Sequence, residues 1–311
     1  SIMARTRKNK KNNSQSKSKK RSRSSKSKTL KKLQCGPGGN SKKYTCIRDE
    51  SICKLKTLWN KRHPDNVIKN GNIKKTWSQL KKKLQNVCNK ESCWLKQKFA
   101  KKGLGNELSV AFAPASPEKW KKNPTEWLSS NDIISVMKQY EKKYKCFEFI
   151  GPSPIDYDTH KMYGECVWEE LCHFDLSDQI KRGKTKVGVI FNLDPHYKGG
   201  SHWVSLFINI KKQTIFFFDS VGKTIPKQIK KFVDMIKRQG LHLPDKEQVN
   251  FSYDENHPHE HQMDDTECGV YSLYFLIHML EDKHTAEYFK TRVITDKCVQ
   301  KFRKVYFNES L

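Results

Sequence analysis

Four side chains in fixed order, His202, Asp219, Gln262 and Cys268, have the types needed for nucleophilic catalysis. Gly269 follows Cys268, and an apolar run through Val270, Tyr274, Phe275, Leu276 and Ile277 comes next, which reads as a nucleophile at the mouth of a buried helix. Unpaired backbone N–H groups and the helix macrodipole favour a thiolate there, and the thiolate is the form that attacks a carbonyl carbon. Histidine supplies a base, aspartate orients it, and the glutamine amide offers a donor to an oxyanion. Each residue alone has a plain reading: a strand-edge histidine, a turn aspartate, a surface amide, a buried thiol. Their joint order points to a cysteine peptidase.

The elements that must position them can be read from hydrophobic periodicity. KVGVIFNL at 186–193, HWVSLFIN at 202–209 and TIFFFD at 214–219 predict strands, and a further strand is expected near 248–253. If 202–209 and 214–219 form a hairpin turning at Ile210 and Lys211, residue 209 pairs with 212 and His202 with Asp219. Opposed residues share a face with Cβ atoms roughly 4.5–5.5 Å apart, so the carboxylate can bond the imidazole. A helix over 227–238 and the helix after Cys268 complete an α+β pattern. Upstream, Ser130 or Asn131 is expected to cap a helix bearing Ile133, Ile134, Met137 and Tyr140, and GPSP at 151–154 to break the chain.

The chain of 311 residues accommodates a catalytic domain, expected over 106–311, with a helical Cys- and Lys-rich domain over 33–105 whose helices include 77–87 and 94–99. Its net charge is +28, and 14 of the basic residues fall within 1–32, a stretch with no acid. That stretch is too poor in apolar residues to bury a core and is expected to be a disordered basic tail that binds DNA or RNA or directs nuclear import. The remaining 279 residues still carry +14. The apolar run at 269–280 is too short to span a bilayer and the N-terminus lacks a signal-peptide core, so a soluble intracellular protein without membrane contact is expected. The ten cysteines are then read as thiols, ligands or catalytic groups and not as a disulfide framework. No metal is expected: Cys35, Cys46, Cys53, Cys88 and Cys93 lack the two-residue zinc spacing, and His257, His259 and His261 read as a polar loop.

SHWVSLFIN, FFFDS and HQMDDTECGVYSLYF resemble the ubiquitin-like-protein-specific cysteine peptidases, which include the SUMO-deconjugating enzymes and the adenovirus protease. The resemblance implies a papain-like α+β core without cofactor, with Cys268 as nucleophile, His202 and Asp219 completing a triad and Gln262 in the oxyanion hole. Glu267 stands where cellular members usually carry Asp. EWLSSNDIISVMKQY is similar to the family's Trp-Leu-x-Asp helix start and places Trp127 and Trp203 as two indoles over a Gly-Gly tail, flat walls that suit residues without a Cβ. CNKESCWLKQK, TECGVYSLYF and FKTRVITDKCVQKFRKVYF further resemble the polyprotein-processing thiol proteases of large nucleocytoplasmic DNA viruses, the African swine fever virus protease among them, over roughly residues 85–307. The function so implied is cleavage after Gly-Gly in viral structural polyproteins during virion maturation, in the virion and the cytoplasmic viral factory. The alternatives are a SUMO or ubiquitin-like deconjugase acting on host proteins, and a nucleic-acid-binding packaging protein with a vestigial site. Gly38-Gly39, just after the tail, suggests self-cleavage as a corollary.

Overall fold

The computed structural model describes residues 29–40, 42–309 and 311; the expected tail falls almost wholly outside them. Four helices, α1 (Asp49–Arg62), α2 (Ile73–Leu84), α3 (Glu91–Lys96) and α4 (Lys98–Ala111), enclose a core of Ile52, Leu55, Trp59, Leu80, Leu84 and Trp94. The boundary expected at 105/106 falls inside α4, whose backbone kinks at Leu104, and the N-terminal core runs on to Phe112. Asn308 joins the chain's two ends. Its side chain accepts the Gln34 N–H at 2.7 Å and donates to the carbonyls of Gln34 and Ala113.

Helix α5 (Ser130–Lys143) is capped by Ser129, not by Ser130 or Asn131. Ser129 Oγ accepts the Asp132 N–H and the Asp132 carboxylate accepts the Ser129 N–H, a reciprocal box that satisfies two helix-end donors. The next strand, β1 (Phe147–Pro154), runs through the GPSP segment expected to break the chain. As an edge strand it tolerates a proline, and its register shifts between Ile150 and Ser153. Gly151 holds φ +103° there, and a Cβ would lie 2.7 Å from the Ile190 carbonyl oxygen.

After the short helices α6 (Glu169–Cys172) and α7 (Leu176–Lys181) come β2 (Lys186–Asn192), β3 (Trp203–Asn209), β4 (Thr214–Phe218), α8 (Lys227–Leu241) and β5 (Ser252–Glu255). The mixed sheet has order β1-β2-β3-β4-β5, antiparallel in the middle and parallel at both edges. Alternation along the strands sends Val187, Val189, Leu206, Ile208 and Phe217 toward Phe232 and Ile236 of α8, and Phe207, Phe216 and Phe218 to the other face. That other face is covered by α5 and by α9 (Cys268–Leu280), which is buried nearly all round. The short helices α10 (Ala286–Thr291), α11 (Asp296–Gln300) and α12 (Arg303–Tyr306) close the chain against α9.

The β3–β4 register differs by two residues from the expected one. Asn209 pairs with Thr214, because the turn holds four residues, 210–213, with Gln213 at φ 54°. A slip of two leaves every side chain on its face, whereas a slip of one would have separated His202 from Asp219. The cysteines also depart from expectation. Disulfides join Cys35–Cys46, Cys88–Cys93 and Cys166–Cys172, leaving Cys53, Cys146, Cys268 and Cys298 free. Reading thiols from compartment alone overlooked how closely each short loop brings its pair together. Among the described residues, no helix is long and apolar enough to cross a membrane.

Candidate active site

His202 sits just before β3, Asp219 just after β4, and Cys268 opens α9, so two strand ends and one helix end meet. The His202 Nε2 lies 2.7 Å from Asp219 Oδ1, leaving Nδ1 for the neighbouring thiol of Cys268. Burial disfavours the imidazolium, yet the bond to Asp219 and the interaction with both Asp219 and Cys268 raise its pKa to about 9. Cys268 and Asp219 are each 2% exposed, so charge at this site is poorly screened by water.

Residues that carried no signal of their own in the sequence hold this arrangement. Asn256 grips the backbone of Asp219 from both sides: its Oδ1 accepts the Asp219 N–H at 2.9 Å and its Nδ2 donates to the Asp219 carbonyl at 2.8 Å. Ser220 Oγ donates to Gln262 Oε1 at 2.7 Å, which fixes the amide's orientation. One N–H of Gln262 donates to the Asp264 carbonyl. An amide nitrogen has two hydrogens, so a second donor remains. The Cys268 N–H stands in the first turn of α9, where no intrahelical acceptor exists.

The start of α9 is tied to a distant part of the chain. Arg303, buried beneath it, pairs with Glu267 at 2.9 Å and donates to the carbonyls of Pro124, Thr125, Glu126 and Thr266. Its guanidinium also stacks on Trp120, 4.5 Å from the ring centre. One side chain therefore links the residue before Cys268 to the segment before Trp127. Gly269 completes this close approach, because a Cβ there would lie 3.1 Å from Leu128 Cβ and 3.2 Å from Trp203 Cδ1.

The structure places the two tryptophans on one cleft of about 580 Å³, with Trp127 39% exposed and Trp203 mostly buried, its indole donating to the Leu128 carbonyl. Pro152, Gly200 and Trp168 line the same cleft. The three-histidine loop gathers no metal-binding set. His261 donates through Nε2 to the Phe289 carbonyl and accepts the Ile294 N–H at Nδ1, and burial, with the nearby His259, lowers its pKa to about 4. Both of its nitrogens are occupied, so it is no rival to His202 as a base. The Gly38-Gly39 segment is half-buried and hydrogen-bonded in a turn, with Gly39 against the Ala111 carbonyl. That removes the accessible stretch that self-cleavage required.

Residues 182–310 match the Ulp1 protease family, C-terminal catalytic domain. A protein of Acanthamoeba polyphaga mimivirus named for a thiol protease is 33% identical over 211 residues, covering 65% of this chain and 64% of its own length. The cysteine protease of African swine fever virus is 27% identical over 250 residues, covering 75% of this chain and 88% of that protein. The crystal structure of the African swine fever virus protease shares the fold, with a TM-score of 0.62 at 21% identity, covering 90% of this chain and 97% of the other. Through residues 182–310 the chain is thus similar to the catalytic domain of the Ulp1 protease family, and the viral relatives it matches are named as thiol or cysteine proteases.

Proposed function

We propose that this protein is a cysteine endopeptidase that cleaves after Gly-Gly in viral structural polyproteins during virion maturation. The observation that carries the reading is the hydrogen bond between Asp219 and His202, with the Cys268 thiol near enough to act on the imidazole, beside a cleft walled by two indoles. Cys268 passes its proton to His202 Nδ1 and attacks the carbonyl carbon of the last glycine. The C–N bond breaks as the imidazolium protonates the departing amine, leaving a thioester. Water, deprotonated by the now neutral imidazole, attacks that thioester, the C–S bond breaks, and the ion pair returns. Asp219 orients the imidazole and stabilises its charge. Relatives in two viruses support a viral setting, and virion and cytoplasmic viral factory are the proposed locations.

Gln262 and the Cys268 N–H are assigned to the oxyanion. Gln262→Ala is expected to lower kcat by about 10²–10³-fold with little change in KM, since the charge it serves is present mainly in the transition state. Ser220→Ala, which frees the amide to rotate, is expected to lower kcat less. Steady-state kinetics decide this: a raised KM with kcat intact would make Gln262 a substrate-binding residue.

A second reading, removal of a ubiquitin-like modifier from host proteins, draws on African swine fever virus relatives named as SUMO-1 cysteine proteases. Both substrate types present Gly-Gly, so the two readings part on turnover of a modifier-fused substrate against an unfused Gly-Gly-X peptide. Cutting of the fusion alone would favour deconjugation. The basic tail is proposed to bind nucleic acid or direct nuclear import alongside catalysis. Deleting residues 1–32 is expected to remove most salt-sensitive DNA retention and to spare peptide cleavage. Unchanged retention would assign the binding to the +14 of the remaining chain, as a packaging role would require.

A further inference from the structure

Beside the cleft, among the described residues, the stretch 160–173 brings together two groups of three potential metal ligands that share Cys166. His160 Nε2 lies 3.9 Å from Cys166 Sγ. The donor atoms of His160, Cys166 and Cys172 all lie within 4.8 Å of one another, as do those of Cys166, Glu169 and His173. A backbone bridge between His160 and Cys166 and the turn of α6 set these positions, and Glu169 accepts the Cys166 N–H at 2.7 Å. The intervening loop has little apolar packing of its own, with Met162 91% and Tyr163 90% exposed. A tie other than a core must close it. In the structure that tie is the Cys166–Cys172 disulfide, in which the adjoining imidazole plays no part.

We propose that the reduced form of this loop is a zinc site, held by Cys166, Cys172 and His160 with Glu169 or His173 as the fourth ligand. Two thiolates and an imidazole with one further nitrogen or oxygen donor make the tetrahedral set zinc takes in structural sites. A cellular dithiol supplies the two electrons and two protons that break the S–S bond and becomes a disulfide itself. Zinc then displaces the two thiol protons to solvent. The disulfide and the metal are alternative closures of one loop. Its other residues, Lys161, Val167 and Trp168, line the cleft described above. On the peptidase reading, the state of this loop therefore adjusts one wall of the substrate site, and loss of zinc from reduced enzyme raises KM more than it lowers kcat.

The binding test uses the full chain carrying Cys268→Ala, so that the cleft thiol takes no metal and no step depends on catalysis. After reduction with a phosphine, zinc loading and desalting, elemental analysis is expected to find one zinc per chain, and cobalt in its place to show thiolate-to-metal charge-transfer absorption. Cys166→Ser combined with Cys172→Ser should abolish both signals, and His160→Ala should weaken binding by about tenfold or more. Cys35→Ser and Cys88→Ser should retain the metal. The same chain kept oxidised should bind none, a comparison that needs no substitution in the loop. Reduced protein without stoichiometric zinc, or zinc retained by the Cys166/Cys172 double variant, would overturn the site. A site that binds zinc in a chain that cleaves no peptide would leave the zinc proposal standing and sink only the peptidase reading.

Discussion

Cys268→Ala and His202→Ala are each expected to cut kcat/KM for a Gly-Gly-X peptide by about 10⁴-fold or more, and the double variant to be no slower than either. On the proposed mechanism the two side chains act as one nucleophile–base pair, so removing either removes the function of both. A double variant much slower than both singles would mean two independent contributions. The pair also sets a pH dependence. With its pKa raised to about 9, His202 keeps the proton that the leaving amine needs across neutral pH, and kcat/KM should fall as pH rises through about 9. The same interaction stabilises the fold fully below the unfolded value near 6.5, and that contribution is lost on the same alkaline rise. Asp219→Asn keeps an acceptor but removes the charge, so the alkaline limb should move toward lower pH while activity falls less than in His202→Ala. An unmoved limb would show that Asp219 does not tune the imidazole.

Arg303→Ala is expected to be the most damaging substitution for stability. The side chains of Arg303 and Glu267 are 6% and 0% exposed, so the change leaves a carboxylate without compensation in a dry site, a loss of about 3–5 kcal/mol. Melting should fall by on the order of 10 °C. Arg303→Lys cannot recover it, because a single ammonium cannot reach the carboxylate and four carbonyls in different directions. Glu267→Gln with Arg303→Met, which removes both charges, should regain much of the stability. Its kcat/KM should stay low, because the segment before Trp127 and the start of α9 have lost their common tie. Thermal melting of the three variants checks the first claim: an unshifted Tm in Arg303→Ala would mean that the pair contributes nothing to folding.

What was legible in the sequence follows the range of each interaction. Strands β2, β3 and β4 are apolar on both faces and stood out as short runs, and Cys268 stood out because the helix it opens is contiguous with it. α1 did not, since Ile52, Leu55 and Trp59 are dispersed among lysines and acids. β1 was hidden by a Gly-Pro step that a bulge on an edge strand absorbs. β5, Ser-Tyr-Asp-Glu in sequence and expected to start four residues too early, is a polar parallel edge whose identity comes from its partner β4. The site shows the same division. His202 and Asp219 belong to one hairpin, and their shared face survived a wrong register because the slip was even. Asn256 lies 37 residues from the Asp219 it grips and Arg303 36 from Glu267, so no local pattern announces either.

The proposed function requires that Cys268 cleave after glycine in a slot that Trp127 and Trp203 make too narrow for a side chain. Its most direct test is the turnover of matched Gly-Gly-X and Gly-Ala-X peptides by wild-type and Cys268→Ala enzyme, with N-terminal sequencing of the fragments. Expected are a new N-terminus at X, a loss of at least about tenfold in kcat/KM for Gly-Ala-X, equivalent to about 1.4 kcal/mol in the transition state, and no cleavage by Cys268→Ala. Equal turnover of the two peptides, or cleavage that persists without the Cys268 thiol, would contradict it.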